Sequence, residues 1–204
     1  MFTRRLILTI SCATAMATGL VNAQEFPSQP IRIVIPYAPG GGSDILARPV
    51  AVDMSQRLKQ PVIIDNKGGA GGNIGAQFVA RSAPDGYNLM MANNSHVINQ
   101  FIYKNPGFEM GDLAPVSLVG TSPIIVVVHK SSPVQSLADF VALARKNPGK
   151  LNFGSAGVGT PGHLAPLLFN KQADIKVVHI AYKGSGPATQ KWLDKSEQRD
   201  KWKL

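Results

Sequence analysis

The chain has 204 residues, with 21 basic side chains against 12 acidic ones and a single cysteine. One cysteine excludes a disulfide framework and a thiolate metal centre. The +9 charge is spread over singly scattered lysines and arginines with no interleaved aromatic ladder, which speaks against nucleic acid as a partner and leaves small anions, an acidic surface or a merely solvated exterior.

Residues 1–23 read as a secretory signal: Arg4 and Arg5 make a positive start, 6–20 is mostly apolar, and Val21-Asn22-Ala23 is a small-x-small site before Gln24. The apolar stretch is too short and too rich in Ser and Thr for the roughly 30 Å of a bilayer core. Residues 3–8 also resemble a twin-arginine motif, so both export routes stay open. Cys12 lies inside this signal, with Thr9 where a lipoprotein signal prefers leucine, so the exported part carries no cysteine. Cleavage after Ala23 leaves residues 24–204, enough for one domain with a real core or two small lobes, and lowers the charge from +9 to +7. A periplasmic protein is the expectation.

From Ile31 onward short β-branched runs alternate with helical patterns, the signature of an α/β fold with parallel-type sheets flanked by helices. In chain order the patterns predict a strand over 31–36, a helix over 44–58, a strand over 61–66, a helix over 74–82, a strand over 87–92 and a helix over 96–103. Pro106, Gly107, Gly111, Asp112 and Pro115 then interrupt the periodicity, which places a lobe boundary near 105–115. Beyond it come strands over 116–119 and 124–129, a helix over 137–147 capped by Ser136, a strand over 151–154, a helix over 161–172 and a strand over 176–182. Residues 191–204 are highly charged, hold both tryptophans, and are expected to be an exposed tail or a short polar helix.

Two of the strands end in a glycine-rich turn that opens a helix. A helix start carries unpaired N–H groups and about half a positive charge, so each such turn is a candidate anion cradle. Two cradles suggest two lobes closing on one small anion. The first is Tyr37-Ala38-Pro39-Gly40-Gly41-Gly42-Ser43-Asp44, where the glycines expose backbone and either Ser43 or Asp44 is the expected helix cap. The Asp44 carboxylate competes with an anion, so this turn is expected to offer carbonyls, hydroxyls and water. Asn93, after the third strand, lies on the same rim.

The second turn is Gly154-Ser155-Ala156-Gly157-Val158-Gly159-Thr160-Pro161-Gly162-His163. Pro161 suits the first helical position and places Thr160 as cap, which leaves the amides from Gly157 to Gly162 free to surround a carboxylate. Ser155 and Thr160 would add hydroxyls, and His163 would either reach the ligand or bond to a neighbouring carbonyl. Gly157, Gly159 and Gly162 also fit the dinucleotide pattern G-x-G-x-x-G, but the following strand ends in Tyr182-Lys183 where that reading needs an acid. An exported nucleotide-dependent oxidoreductase is thus the weaker alternative. A third cluster, Gly68 to Gly72, reads as packing or ligand contact. No phosphate loop, nucleophile elbow or carboxylate pair stands out, and His96, His129, His163 and His179 lack metal-ligand spacing.

The stretches PIRIVIPYAPGGGSDILAR, PVIIDNKGGAGGNIGAQFVARSAPDGYNLMMAN, LAPVSLVGTSPIIVVVHKSSP, NPGKLNFGSAGVGTPGHL and VVHIAYKGSGPA resemble, in order, the Bug family of extracytoplasmic receptors of tripartite tricarboxylate transporters. The resemblance implies a two-lobed periplasmic-binding-protein-like (Venus flytrap) fold, lobe 1 over 24–115 and lobe 2 over 116–190, both incomplete. It further implies a monomer that holds a small carboxylate or related metabolite for an inner-membrane permease, with no cofactor and no catalysis. Tyr37 to Asp44 and Ser155 to His163 would then face each other across the cleft. Family members continue past GSGPA, whereas here an unrelated segment runs to Leu204. A second lobe left incomplete by truncation is therefore expected, with a nonfunctional fragment as an alternative reading.

Overall fold

The computed structural model describes residues 26–129 and 131–194. The expected signal peptide, its cleavage site and most of the charged tail lie outside these residues.

The first sheet is parallel, with strand order β2-β1-β3: β1 is Ile31–Ile35, β2 Val62–Asn66 and β3 Asn88–Met90. Parallel neighbours need crossovers, and helices α1 (Gly42–Leu58) and α2 (Asn73–Ala80) supply them. β1 is central, so its residues face covered sides of the sheet and Ile31, Ile33, Val34 and Ile35 are all buried. Ile33, Ile35, Tyr37, Ala47 and Ala51 form the core, packed by Met54, Ile64 and Leu89. Pro49 sits inside α1 without breaking it. Both Pro49 and Ile45, whose carbonyl loses its partner, lie on the exposed side, where water can replace the missing bond. Helix α3 (Ser95–Ile102) follows β3.

The second sheet pairs β4 (Leu151–Ser155) with β5 (Val177–Ala181), again in parallel. Helices α4 (Leu137–Lys146) and α5 (Pro161–Ala173) belong to this unit. As expected, the Ser136 hydroxyl caps α4 by accepting from the Asp139 amide. Ala144, Leu151 and Val177 make the small core here, with Phe140, Leu143, Phe153 and Ile175 against it.

Two expected strands are absent. Residues 116–119 and 124–129 pair with nothing among the described residues, and Val116, Leu118 and Ile125 are 82%, 80% and 72% exposed. A continuous β-branched run specifies a strand only when neighbouring backbone and two covering layers are present, and neither is supplied here. A helix the patterns only partly anticipated, α6 (Ser185–Leu193), begins inside the GSGPA segment. Pro187 stands in its first turn, where an N–H has no intrahelical partner to lose.

Candidate functional site

All the glycine turns lie at the carboxyl ends of the strands. In the first, Gly41 rather than Ser43 or Asp44 is the helix N-cap, and no side chain caps the helix. Asp44 points back instead: its buried carboxylate accepts from the Gly40 amide at 3.0 Å, from both arms of Arg48 at 2.9 and 3.0 Å, and from Asn66 at 3.1 Å. Burial alone would push this carboxyl up, but the bonds from Arg48, Gly40 and Asn66 outweigh it and hold it below the usual range. Asp44 therefore shapes the turn. Asp44→Ala strands three donors and is expected to cost about 1–3 kcal/mol in urea denaturation. Because the folded carboxyl is depressed, its contribution is present above its ordinary value near 3.9 and is lost as pH falls through the folded value. An Asp44→Asn chain should lose less stability over that acid range than the wild type.

The second turn corrects one expectation. The amides from Gly157 to Gly162 are not all free: Gly157 N–H donates to Ser155 Oγ at 3.1 Å, Gly159 N–H to His163 Nδ1 at 3.3 Å, and Thr160 N–H to the Gly157 carbonyl at 3.3 Å. Thr160 is the cap residue by position, yet its hydroxyl also donates to the Gly157 carbonyl, at 2.7 Å. Ser155 Oγ lies 2.6 Å from His179 Nε2. His163 thus accepts from a backbone amide, where the sequence suggested a carbonyl or a ligand. A tight turn with positive φ at Gly157 (134°) and Gly159 (83°) satisfies itself because its small residues let acceptors fold back under it.

This turn rests on the third glycine cluster. A Cβ at Gly71 would run into the Val158 carbonyl, and one at Gly159 into Asn99 Oδ1. Packing is thus what that cluster does, between the two sheet units as well as within the first, where Gly68 lies against Tyr37 and Ala38. The first turn meets a different partner. Ala38 N–H donates to the Lys183 carbonyl at 2.9 Å, Gly42 N–H reaches Ser185 Oγ at 3.4 Å, and a Cβ at Gly41 would sit 2.6 Å from Ser185 Oγ. The element facing Gly40 to Gly42 is the start of α6.

Between the units lies an open cavity of about 3310 Å³. Of the expected site residues, Tyr37, Gly41, Gly42, Ser43, Asn93, Ser155, Ala156 and Thr160 border it, whereas Pro39, Gly40, Asp44, Gly157, Gly159 and His163 stand behind its wall. Tyr37 and Asn93 are brought together, the phenol donating to Asn93 Oδ1 at 3.1 Å, and burial keeps Tyr37 protonated by pushing it up. Small ligands fill roughly 300–1,000 Å³. The cavity is larger than that, and the uncovered residues from Leu113 to His129 border much of it. The starts of α1, α5 and α6 all border the cavity, and the amides of Ser43, Gly162 and Ser185 have no partner among the described residues. Sequence reasoning missed Ser185, although Gly184-Ser185-Gly186-Pro187 repeats the glycine-then-helix device of the other two turns.

Residues 46–198 match the family model described as "Tripartite tricarboxylate transporter family receptor", TctC. The chain belongs to this receptor family. It is similar to the protein BugT of Bordetella pertussis, 35% identical over 185 residues, 89% of this chain and 57% of that protein. Among solved structures it resembles the periplasmic binding protein BugD (TM-score 0.70, 32% identity, 82% of this chain and 56% of that one). It also resembles MatC from Rhodopseudomonas palustris with bound malate (TM-score 0.72, 30% identity, 82% and 57%). The chain thus spans little more than half the length of these TctC relatives. Its fold is that of these periplasmic binding proteins, α/β with parallel sheets flanked by helices. The dinucleotide reading loses its footing in the same geometry, because Gly157 and Gly159 lie against Gly71 and Asn99 where a pyrophosphate would have to approach.

Proposed function

We propose that this chain is the ligand-capturing part of an exported solute receptor. Released into the periplasm by cleavage after Ala23, it closes as a monomer on a small carboxylate, catalyses nothing, and presents the closed form to a tripartite transporter permease in the inner membrane. One observation carries this reading: three helix starts, those of α1, α5 and α6, converge on a cavity bordered by both lobes. The amides of Ser43, Gly162 and Ser185 supply donors for a carboxylate, backed by helix ends of about half a positive charge each. Gly41, Gly42, Tyr37 and Asn93 form the first-lobe wall, and Ser155, Ala156 and Thr160 the second. Pro39, Gly40, Asp44, Gly157, Gly159 and His163 hold that wall in shape. Charge-assisted bonds contribute about 1.5–3 kcal/mol each, so three or four approach the roughly 8 kcal/mol of a micromolar complex.

Malate is the first probe, followed by other dicarboxylates, aromatic acids, amino acids and nicotinate. A ligand present at a hundred times its Kd adds about 2.7 kcal/mol of stability, a rise of about 5–10 °C in Tm for a chain of this size. No rise with any carboxylate at 10 mM, on the order of ten thousand times a micromolar Kd, would refute the receptor reading. Tight NAD binding would favour the oxidoreductase instead.

A further inference from the structure

Three of the four histidines lie just behind the seam where the lobes touch, His96 against Gly72 on one side and His163 and His179 behind the 157–159 turn on the other. On the first-lobe side, α3 and the residue after it present Ser95, His96, Asn99 and Tyr103 toward the glycine corner 69–72 and the turn 157–159. Asn99 Nδ2 donates to the Gly71 carbonyl at 3.1 Å, and the Tyr103 hydroxyl to the Val158 carbonyl at 3.2 Å. Ser95, His96 and Asn99 are at most 1% exposed, and Asn99 Oδ1 has no hydrogen-bond partner among the described residues. On the second-lobe side the turn hangs on imidazoles. His163 Nδ1 accepts from Gly159, and His179 Nε2 meets the Ser155 hydroxyl that accepts from Gly157. The His163 and His179 rings lie 4.1 Å apart, centroid to centroid.

We propose that these histidines make the seam a proton-responsive clasp: acidification separates the 157–159 turn from α3 and opens the cavity without unfolding the chain. A neutral ring nitrogen can accept the Gly159 N–H, whereas a protonated one cannot. Two imidazolium rings at that separation repel, and a charged His96 would place a buried cation against Gly72, in the glycine corner on which the 157–159 turn rests.

None of the facing groups is a carboxylate, and for His96 the backbone of Asn93 and Gly72 favours the charged form without outweighing burial. His96 faces Tyr37 from the end of β1, Asn93 from the loop before α3, Gly72, and Phe108. His163 faces His179 on β5, and His179 faces Ser155 and Phe153 on β4. Tyr103 is the other titratable group at the seam, and burial pushes both tyrosines up, so they stay neutral. No ion pair among the described residues involves any of these histidines. Burial lowers all three, and the nearby His163 lowers His179 further. Opening returns them toward an ordinary value near 6.5, so the open form binds protons more readily and gains population as pH falls below that value. Ligand release as the consequence rests on the receptor reading; the opening itself does not.

The test is energy transfer between dyes on Lys104→Cys and Leu168→Cys in a Cys12→Ser background, without ligand. Transfer is expected to fall between pH 8 and pH 5 while the far-ultraviolet circular dichroism stays constant. His96→Asn with His163→Asn keeps polar acceptors but cannot titrate, and should move the midpoint down by at least about one pH unit. If that pair folds poorly, His163→Asn alone carries the test with a smaller shift in the same direction. Tyr103→Phe weakens the seam without removing a titrating group, so it should lower transfer at pH 8 and leave the pH response in place. Constant transfer in the wild type, an unmoved midpoint in the histidine variants, or loss of dichroism together with transfer would overturn the clasp. Because no ligand is added, those outcomes are separate from a failure to bind carboxylates.

Discussion

Extending the chain with the carboxyl-terminal part that the family resemblance leads one to expect should tighten the binding of a carboxylate that stabilises it at least about tenfold, roughly 1.4 kcal/mol, and raise Tm by several degrees. The run from Val116 to Val128 is the reason. Val116, Leu118, Ile125 and Val126 lie largely in solvent, although the residues are those of a strand buried on both faces. Covering one such side chain contributes about 1.5–3 kcal/mol. The β4–β5 pair has the same need, since two strands alone are marginal and their open edges invite association. The exported chain and its extended form should be compared by calorimetric titration with that carboxylate and by thermal denaturation. Equal affinity and equal Tm for the two would show that residues 24–204 already hold everything the cavity requires.

Replacing Gly159 is expected to have the largest effect of any single substitution at the seam. Its φ of 83° disfavours every side chain, and an added Cβ meets the Asn99 amide oxygen. Gly159→Ala should hold the lobes apart and weaken binding of the same carboxylate by at least about a hundredfold, roughly 2.8 kcal/mol, with little change in the circular dichroism. Gly71→Ala, whose Cβ would meet the Val158 carbonyl, should act alike. Adding Asn99→Ala to Gly159→Ala removes the collision but not the backbone strain, so part of the affinity should return. Undiminished binding by Gly159→Ala would mean that the seam is not closed in the liganded state.

Much of the architecture was legible because periodicity and turn chemistry are local. β1, α1, β2, α2, β3, α3, α4, β4, α5 and β5 fall within a few residues of their expected places. The glycine turns were legible for the same reason: only a backbone that must turn sharply or be approached closely spends so many glycines in eight residues. The strands at 116–119 and 124–129 were misread because a strand is a pairing, and no sequence run carries its partner with it. The state of the amides around Gly157 was misread for a related reason. Whether an N–H waits for a ligand or finds an acceptor under the turn depends on where Ser155 and His163 come to lie, which the spacing does not reveal.

The sequence by itself determined the α/β alternation, the membership carried by five long motif stretches, and the placement of exposed backbone at helix starts, since each follows from residue type and order within a short window. Only the tertiary structure decided which turn faces which. It set the first turn against α6 and the second against α3 and the Gly71 corner, and it put three histidines just behind that second contact. Those pairings join residues tens of positions apart or more. They are fixed by how two packed sheets meet and by which buried polar groups then find partners, and neither is written in any local pattern.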